Sequence, residues 1–442
     1  MGDRGLRRPR EAEPIETGVV AALTHEGEGV VRAGKTVFVV GALPGETVRF
    51  RRMRRRRQHD EAELIEVVQA APGRVTPRCA HFGICGGCAL QHLESRAQLA
   101  AKERELAESL ERLGQVQPPE WLAPLEGPAW HYRRRARLGA KFVSKKERVV
   151  VGFRERHAPY VADLRSCVVL AAPADRLIEP LAQLLSGLTI RERVPQIEVA
   201  VGDAATVLVL RVLQEPTPAD RERLAAFEAA EKVRIYLQPG GTASVAPLAG
   251  ERAVLDYRLP QSGLVLGFDA TDFVQINREV NEALVGRVVE LLGAGKGDRV
   301  LDLFCGLGNF TLPLARRAGE VTGVEGDAGL IERARANAGR NGLGNVTFHV
   351  ADLAVPVPAA WAREGYSHVL LDPPRTGARG ILPTIAQMRP RRLLYISCHP
   401  GSLARDVGLL VHEHGFALRS AGVVDMFPHT THVESLAVLE PE

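Results

Sequence analysis

The sequence predicts a chain of three folded parts ending in a doubly wound α/β domain, and three observations support this. After Gly267, hydrophobic strands alternate with helical segments, with VLDLF, VTGVE, VTFHV, HVLLD and LLYIS as the strands, the rhythm of a Rossmann-like sheet flanked by helices. From Thr17 to about Val68, short apolar–polar alternations are punctuated by Gly and Pro, as in a small barrel of the oligonucleotide-binding (OB-like) kind. Between these two regions, strand-like runs mix with one or two helices, an α+β pattern.

At 442 residues the chain can carry about three domains with cores of their own. Hydrophobic residues make up 45% and charged ones 25%, which excludes a fibrous or disordered chain. No segment nears the roughly eighteen consecutive apolar residues of a membrane span, and the charged opening MGDRGLRRPREAEP has no signal-peptide core. A cytoplasmic protein with no membrane partner and no obligate protein partner is expected.

Residues 1–13 read as a basic tail and 14–72 as the barrel. The net charge of +4 is unevenly spread, because the first 57 residues hold 13 Lys and Arg against 7 Asp and Glu. Arg49, Arg51, Arg52 and Arg54 to Arg57 put seven guanidinium groups into nine residues, more than solubility needs, which points to a polyanion. The segment resembles a TRAM domain, an RNA-binding barrel attached to several RNA-modifying enzymes.

The central domain, 73–265, opens on RCAHFGICGGCALQH, where Cys79, Cys85 and Cys88 have the spacing C-x5-C-x2-C; outside the α/β domain the other cysteine is Cys167. Three local thiols and a remote fourth make a four-ligand set. Zinc more often takes paired C-x2-C hooks and iron–sulfur clusters a triplet with a distant partner, so the spacing leaves both open and favours iron–sulfur. Leu and Ala recur at helical spacing after residue 93 and predict a long amphipathic helix over 93–115. ARLGAKFV, RVVVGFR, VVLAA, TVLVLRV and VRIYLQ read as strands.

In the α/β domain, 266–442, the run VLDLFCGLGNFTLPLA sets Gly306 and Gly308 in a tight turn between a strand and a helix over 309–317. Such a turn presents backbone N–H groups to a nucleotide-like ligand. A dinucleotide fingerprint needs a third glycine where this chain has Thr311, which disfavours NAD. Glu325 ends the second strand and can accept hydrogen bonds from both ribose hydroxyls. S-adenosylmethionine, with a ribose and no phosphate, suits this pattern. Asp352, after the third strand, is placed to hold the adenine amino group, and Asp302 or Asp372 to meet the methionine ammonium.

DPPR, residues 372–375, ends the fourth strand, and YISCHP, residues 395–400, ends the fifth. In exocyclic-amine methyltransferases the fourth-strand motif usually ends in an aromatic residue that stacks on the target base, and here that place is Arg375. A cysteine at the end of the neighbouring strand suggests covalent catalysis. Carbon 5 of a pyrimidine is too weak a nucleophile to attack a sulfonium methyl unaided, and thiolate addition at carbon 6 activates it. Cys398 is the candidate nucleophile and Glu434, in HTTHVES, the candidate base for the carbon 5 proton. Cys305 reads as a structural thiol, and His399, His429 and His432 are left without catalytic roles.

Taken together, the chain resembles the RNA uracil-5 methyltransferase family, and within it the branch that modifies uracil-1939 of bacterial 23S rRNA, through the barrel, the cysteine pattern, DFVQIN at 272–277, DLFCGLGNF at 302–310, DPPR, SCHP and the terminal HVES. The resemblance implies S-adenosyl-L-methionine as methyl donor, with contacts from Gln275, Phe304, Asn309, Glu325, Asp352 and Asp372. It implies a [4Fe-4S] cluster on Cys79, Cys85, Cys88 and Cys167, Cys398 as nucleophile, Glu434 as base, and packing of the helix after residue 93 on the catalytic domain. The tRNA branch typically lacks both barrel and cysteine cluster, so 23S rRNA is the expected partner. Two alternatives are the same chemistry on another rRNA or tRNA uridine, and a non-catalytic RNA-binding or assembly protein. Where the family usually has Asn after the nucleophile, this chain has His399.

Overall fold

The computed structural model describes residues 13–354 and 361–442; the basic tail expected over 1–13 lies outside them up to residue 12. The chain falls into two compact units. The first holds the residues up to Gly83 with Cys88–Gln98 and His429–Thr431; the second holds Ile84–Gly87, Leu99–Pro428 and His432–Glu442.

In the first unit, the strands Ile15–Leu23, Glu28–Ala33, Lys35–Val40, His59–Gln69 and Thr47–Arg55 form, in that order, a closed barrel. Antiparallel pairing of Ile15 with Arg51 and parallel pairing of Thr36 with His59 complete the ring, leaving no exposed edge. The alternation read from the sequence delivers Val20, Val31, Val37, Val39, Val48 and Phe50 to its core. Glu46 is fully buried and accepts hydrogen bonds from the Leu43 and Ala71 amides and from Arg74, which ties the exit of the barrel to its wall.

In the second unit, Ala246–Pro247, Arg234–Gln238, Thr206–Arg211, Gln196–Val201, Arg135–Val143 and Arg148–Gly152 form a six-stranded sheet in that order. The helices Ile178–Ser186 and Pro218–Glu231 accompany it, the latter opened by a capping box between Thr217 and Asp220. The VVLAA run expected as a strand is not one. Leu170 makes only an isolated bridge to Arg133, and its N–H turns back to the Cys167 carbonyl. Val169 and Leu170 are buried all the same, and a short apolar run reads alike whether it becomes a strand or a buried turn.

The C-terminal sheet has eight strands. Its first is Arg299–Leu303, second Glu320–Glu325, third Val346–Val350, fourth His368–Leu371, fifth Arg392–Ser397, sixth Phe416–Val424 and seventh Glu434–Pro441. They lie in the order third, second, first, fourth, fifth, seventh, sixth, with Glu120–Trp121 on the outer edge. The first five are parallel, and the seventh runs antiparallel to the fifth. The order reverses between the first and fourth strands, and crevices at such a switch point bind ligands. The helix Ser95–Ser109 continues as a wider turn over Leu110–Gly114. Its Leu99, Leu106 and Leu110 are buried together with Leu301, Leu403 and Val407 of the α/β domain.

Candidate active site

The first strand ends in a turn whose backbone is unusual. Phe304 has φ +65, Gly306 +54 and Gly308 +97, left-handed conformations in which the two glycines carry no side-chain penalty. The Phe304 and Cys305 amides both donate to the Val324 carbonyl, at 2.9 and 3.1 Å, which docks the turn on the second strand. That strand ends in Glu325, whose Oε2 accepts from the Gly306 amide at 3.1 Å and whose Oε1 accepts from the Gly326 and Asp327 amides at 2.7 and 3.1 Å. Gly306 and Glu325 are thus directly joined.

Asn309 exchanges two hydrogen bonds of 3.0 Å with the Asn281 amide and accepts a third from the Tyr257 hydroxyl at 2.9 Å. Tyr257 and Asn281 also line a cleft with Gln275, Arg134 and Arg278, so Gln275 and Asn309 belong to one polar cluster. Sequence reasoning missed Tyr257 and Asn281. A signal for Asn281 existed, because it is a polar residue on the buried face of Arg278–Leu292, beside Val280, Leu284 and Val285. Asp352 is exposed beyond the third strand, and its Oδ1 accepts from the Ala354 amide at 2.9 Å.

Asp302 is fully buried. Its Oδ2 accepts from the Thr311 hydroxyl at 2.5 Å, and Oδ1 has no hydrogen-bond partner among the described residues. Burial raises its pKa to about 7, with the charges of Asp372 and Glu325 adding to the rise and the Thr311 bond opposing it. Asp372, after the fourth strand, is likewise raised to about 7, by burial and then by Glu325. Cys305, also buried, has its thiol pushed well above the ordinary value by burial, which fits a structural thiol.

Cys398 and Glu434 come together through strand register. The fifth and seventh strands pair antiparallel with Ser397 opposite Ser435, which leaves Cys398, just past the end of one strand, near Glu434, at the start of the other. Glu434 is buried, and burial followed by the Asp372 charge drives its carboxyl well above the usual range. Cys398 is half-buried, and its thiol rises to about 11 through burial and the charges of Glu434 and Asp372, with Arg375 acting in the opposite sense. His399 caps the helix Pro400–His414, its Nδ1 accepting from the Ser402 amide at 3.0 Å. An Asn side chain would fill the same role at an N-cap.

Cys79 and Cys88 fall in the first unit, Cys85 and Cys167 in the second. Among the described residues no three His, Cys, Asp or Glu side chains are gathered as a metal site. In the second unit, Gly86 lies so close to the Arg154 carbonyl that a Cβ would meet its oxygen at 2.9 Å, and the Gly87 amide donates to Cys85 Sγ at 3.4 Å. An amide aimed at sulfur suits a thiolate that holds a metal.

The arginine run is less uniform than its sequence suggests. Arg52 is 12% exposed and engages both Glu16 oxygens, at 2.7 and 2.9 Å, and Asp60 at 2.6 Å, so it serves the barrel itself. Arg49 pairs with Glu66 and Arg56 with Glu61 in more exposed bridges, which cost little to exchange for phosphate. In the central domain, Arg135 is largely buried with a hydrogen bond to the Ala270 carbonyl, whereas Arg137 is exposed and paired with Glu198.

Comparisons with known proteins agree with this architecture. A family model described as a methyltransferase domain matches residues 294–372, and one described as tRNA (Uracil-5-)-methyltransferase matches 362–442. The chain is 51% identical over 447 aligned positions to the 23S rRNA (uracil(1939)-C(5))-methyltransferase RlmD of Alkalilimnicola ehrlichii, covering 100% of this chain and 99% of that one. It is 52% identical to the RlmD of Nitrosococcus oceani, again over 100% and 99% of the two chains. Among solved structures, Pyrococcus abyssi tRNA (uracil-54, C5)-methyltransferase in complex with S-adenosyl-L-homocysteine superposes with a TM-score of 0.75 at 24% identity, over 96% of this chain and 100% of that one, a likeness of fold. No helix among the described residues is long and apolar enough to cross a membrane.

Proposed function

The chain belongs to the RlmD family of 23S rRNA (uracil-1939-C5)-methyltransferases, and on that premise we propose how its residues divide the work. The protein methylates carbon 5 of a 23S rRNA uridine with S-adenosyl-L-methionine as donor, and uracil-1939 is the target. The observation that supports the division is the pairing of Ser397 with Ser435, which brings the strand ends next to Cys398 and Glu434 together.

S-adenosylmethionine supplies a methyl group on a sulfonium, with neutral S-adenosylhomocysteine as leaving group. Phe304, Gly306 and Gly308 shape the turn that receives it, Glu325 takes the ribose hydroxyls and Asp352 the adenine. Asp372, Gln275 and Asn309 hold the methionine end. Asp302 supports them from beneath through its bond to Thr311.

Cys398 adds to carbon 6 of the uracil as thiolate, forming the C–S bond and moving the double-bond electrons into an enolate. Carbon 5 then takes the methyl group. Glu434 removes the carbon 5 proton, the electrons restore the 5,6 double bond, and the bond to Cys398 breaks to return the thiolate. In the free protein the thiol is held protonated, at about 11, by burial and the neighbouring carboxyls. The target uridine has to leave its stack, at a cost of a few kcal/mol that RNA contacts made by the barrel and the central domain offset.

We assign Cys79, Cys85, Cys88 and Cys167 as ligands of a [4Fe-4S] cluster in the central domain. The support is the donor set, three cysteines with the spacing C-x5-C-x2-C and a distant fourth, together with the Gly87 amide on Cys85. A ribosomal RNA substrate implies a cytoplasmic location.

The test uses 23S rRNA carrying tritium at uracil carbon 5. Wild-type protein releases one tritium for each methyl transferred. Cys398→Ala binds the RNA and releases none, and Glu434→Gln accumulates a methylated protein–RNA adduct while turnover falls by roughly 10²- to 10⁴-fold. Normal turnover by Cys398→Ala would remove the covalent route.

A further inference from the structure

The barrel keeps an aromatic pair on its outer surface. Alternation sends Val31, Val37, Val39 and Ala62 into the core, so the residues between them on the same strands face outward. Phe38 on the strand Lys35–Val40 is one of these. Its ring stacks on that of His59, at the start of the strand His59–Gln69, with centroids 4.5 Å apart and planes 24° from parallel. Both residues remain partly exposed. The core is filled by Phe50 and a set of valines without them, so the pair does not close the barrel from inside.

Strand register sets cations on either side of the rings. Arg32 pairs with Thr36 and Thr36 with His59; in the next row Phe38 pairs with Glu61 and Glu61 with Arg54. Across the four strands, exposed Arg32 stands at one side of the stack and exposed Arg54 at the other, three strand spacings or about 14 Å apart along the sheet. Glu61 accepts from Arg56 Nε at 2.8 Å and lies 3.7 Å from Arg54, so one carboxylate faces two guanidinium groups and leaves their balance positive. The turn carrying Arg56 is pinned beside the rings. The Arg56 amide donates to the His59 carbonyl at 2.9 Å, and Lys35 Nζ donates to the Arg56 carbonyl and, at 2.7 Å, to Asp60 Oδ1.

We propose that the Phe38–His59 pair is a stacking platform for one unpaired base of the RNA, with Arg32 and Arg54 placed for the phosphates on its two sides. Sites for single-stranded nucleic acid combine these two parts, ring faces for bases and a basic track for the backbone, and RNA loops present splayed bases to such rings. An acidic protein surface would engage the cations and leave the rings unused. The inference rests on the barrel as an RNA-binding part of this enzyme, and it names where a base is held.

The test separates bases from phosphates. Full-length protein is titrated by fluorescence anisotropy, over a range of KCl concentrations, against two end-labelled strands of about twelve nucleotides: an oligouridine, and an abasic strand carrying the same phosphates. Phe38→Leu weakens oligouridine binding about tenfold and leaves the abasic strand as in wild type. Its salt slope is unchanged, because no charge is lost. Arg32→Ala lowers the slope by about one on both strands. Wild-type affinity of Phe38→Leu for oligouridine would overturn the proposal, as would equal losses on the two strands, the result for a surface that reads charge alone. If Phe38→Leu does not fold, Phe38→Trp decides. The added indole emission, taken as the difference from wild type, is quenched by oligouridine and not by the abasic strand, and an unquenched indole would refute the platform. Failure of the underlying reading shows separately, as a salt slope that neither Arg32→Ala nor Arg54→Ala alters.

Discussion

Replacing Asp302 by Asn should change how the stability of the protein depends on pH. The Asp302 carboxyl has an ordinary value of 3.8 and is raised to about 7 in the fold, mainly by burial. Well below pH 3.8 it is protonated in both the folded and the unfolded chain, and its contribution is then fully present. As pH rises, the unfolded chain loses the proton first and is favoured by it, and the loss levels off once pH passes the folded value near 7. The full span is about 4 kcal/mol, and between pH 4.5 and 7.5 it amounts to about 3 kcal/mol. Asn keeps the size of the side chain and can accept from the Thr311 hydroxyl as Oδ2 does, but it has no proton to lose. The assay is urea unfolding of wild type and Asp302→Asn at pH 4.5, 6 and 7.5, compared as the difference between the two so that titrating groups not coupled to Asp302 cancel. The variant should gain about 3 kcal/mol on wild type across that range. A gap that stays constant with pH would refute the placement of a neutral carboxyl under the cofactor turn.

Three further outcomes are expected. Lys102→Met leaves Asp425 without the 2.6 Å partner it has inside the protein, and thermal and urea unfolding should show a loss of about 3–5 kcal/mol, most of it regained in Lys102→Met/Asp425→Leu. Arg52→Ala should lower the urea midpoint of the barrel, because Glu16 loses both of its guanidinium hydrogen bonds and Asp60 is left with Lys35 alone; Arg54→Ala should leave stability within about 0.5 kcal/mol and instead lower the salt slope of RNA binding by about one. Protein purified without oxygen should carry about four irons per chain with broad visible absorption, lost in Cys167→Ala.

The sequence made some of this legible and concealed the rest for identifiable reasons. The strands of the α/β domain announce themselves as apolar runs because a parallel sheet covered on both faces buries every residue, and Leu301, Val369 and Leu394 are all fully buried. The Gly306–Gly308 turn was visible for its glycines, since the backbone there needs left-handed conformations. The roles expected for Cys398 and Glu434 come from the chemistry of the reaction and from the family resemblance. The geometry behind them needs a last strand that reverses direction, and reversal leaves no trace in periodicity. The helix read over 309–317 is Thr311–Ala315, with Gly308 spent on the turn before it. Lys102 looked like one more charge on an amphipathic helix, whereas it is almost wholly buried against Asp425. Composition points the arginine run at a polyanion but does not say which charges meet acids across the barrel, and Arg52 is committed to Glu16 and Asp60.

The first compact unit is assembled from widely separated stretches of chain, and this limits how the protein can be cut. His429 to Thr431 belong to it, with the His429 carbonyl accepting from the Ala89 and Leu90 amides at 2.8 and 3.0 Å and its own amide donating to Gln98 at 2.8 Å. These residues lie just upstream of Glu434 in the sequence. Expressing the N-terminal segment alone, or grafting it onto a related enzyme to redirect RNA choice, would therefore leave this unit without a piece encoded near the far end of the gene. A workable chimera has to exchange residues 429–431 together with the front of the chain, and a random library of barrel swaps that ignores them would be expected to yield few soluble clones.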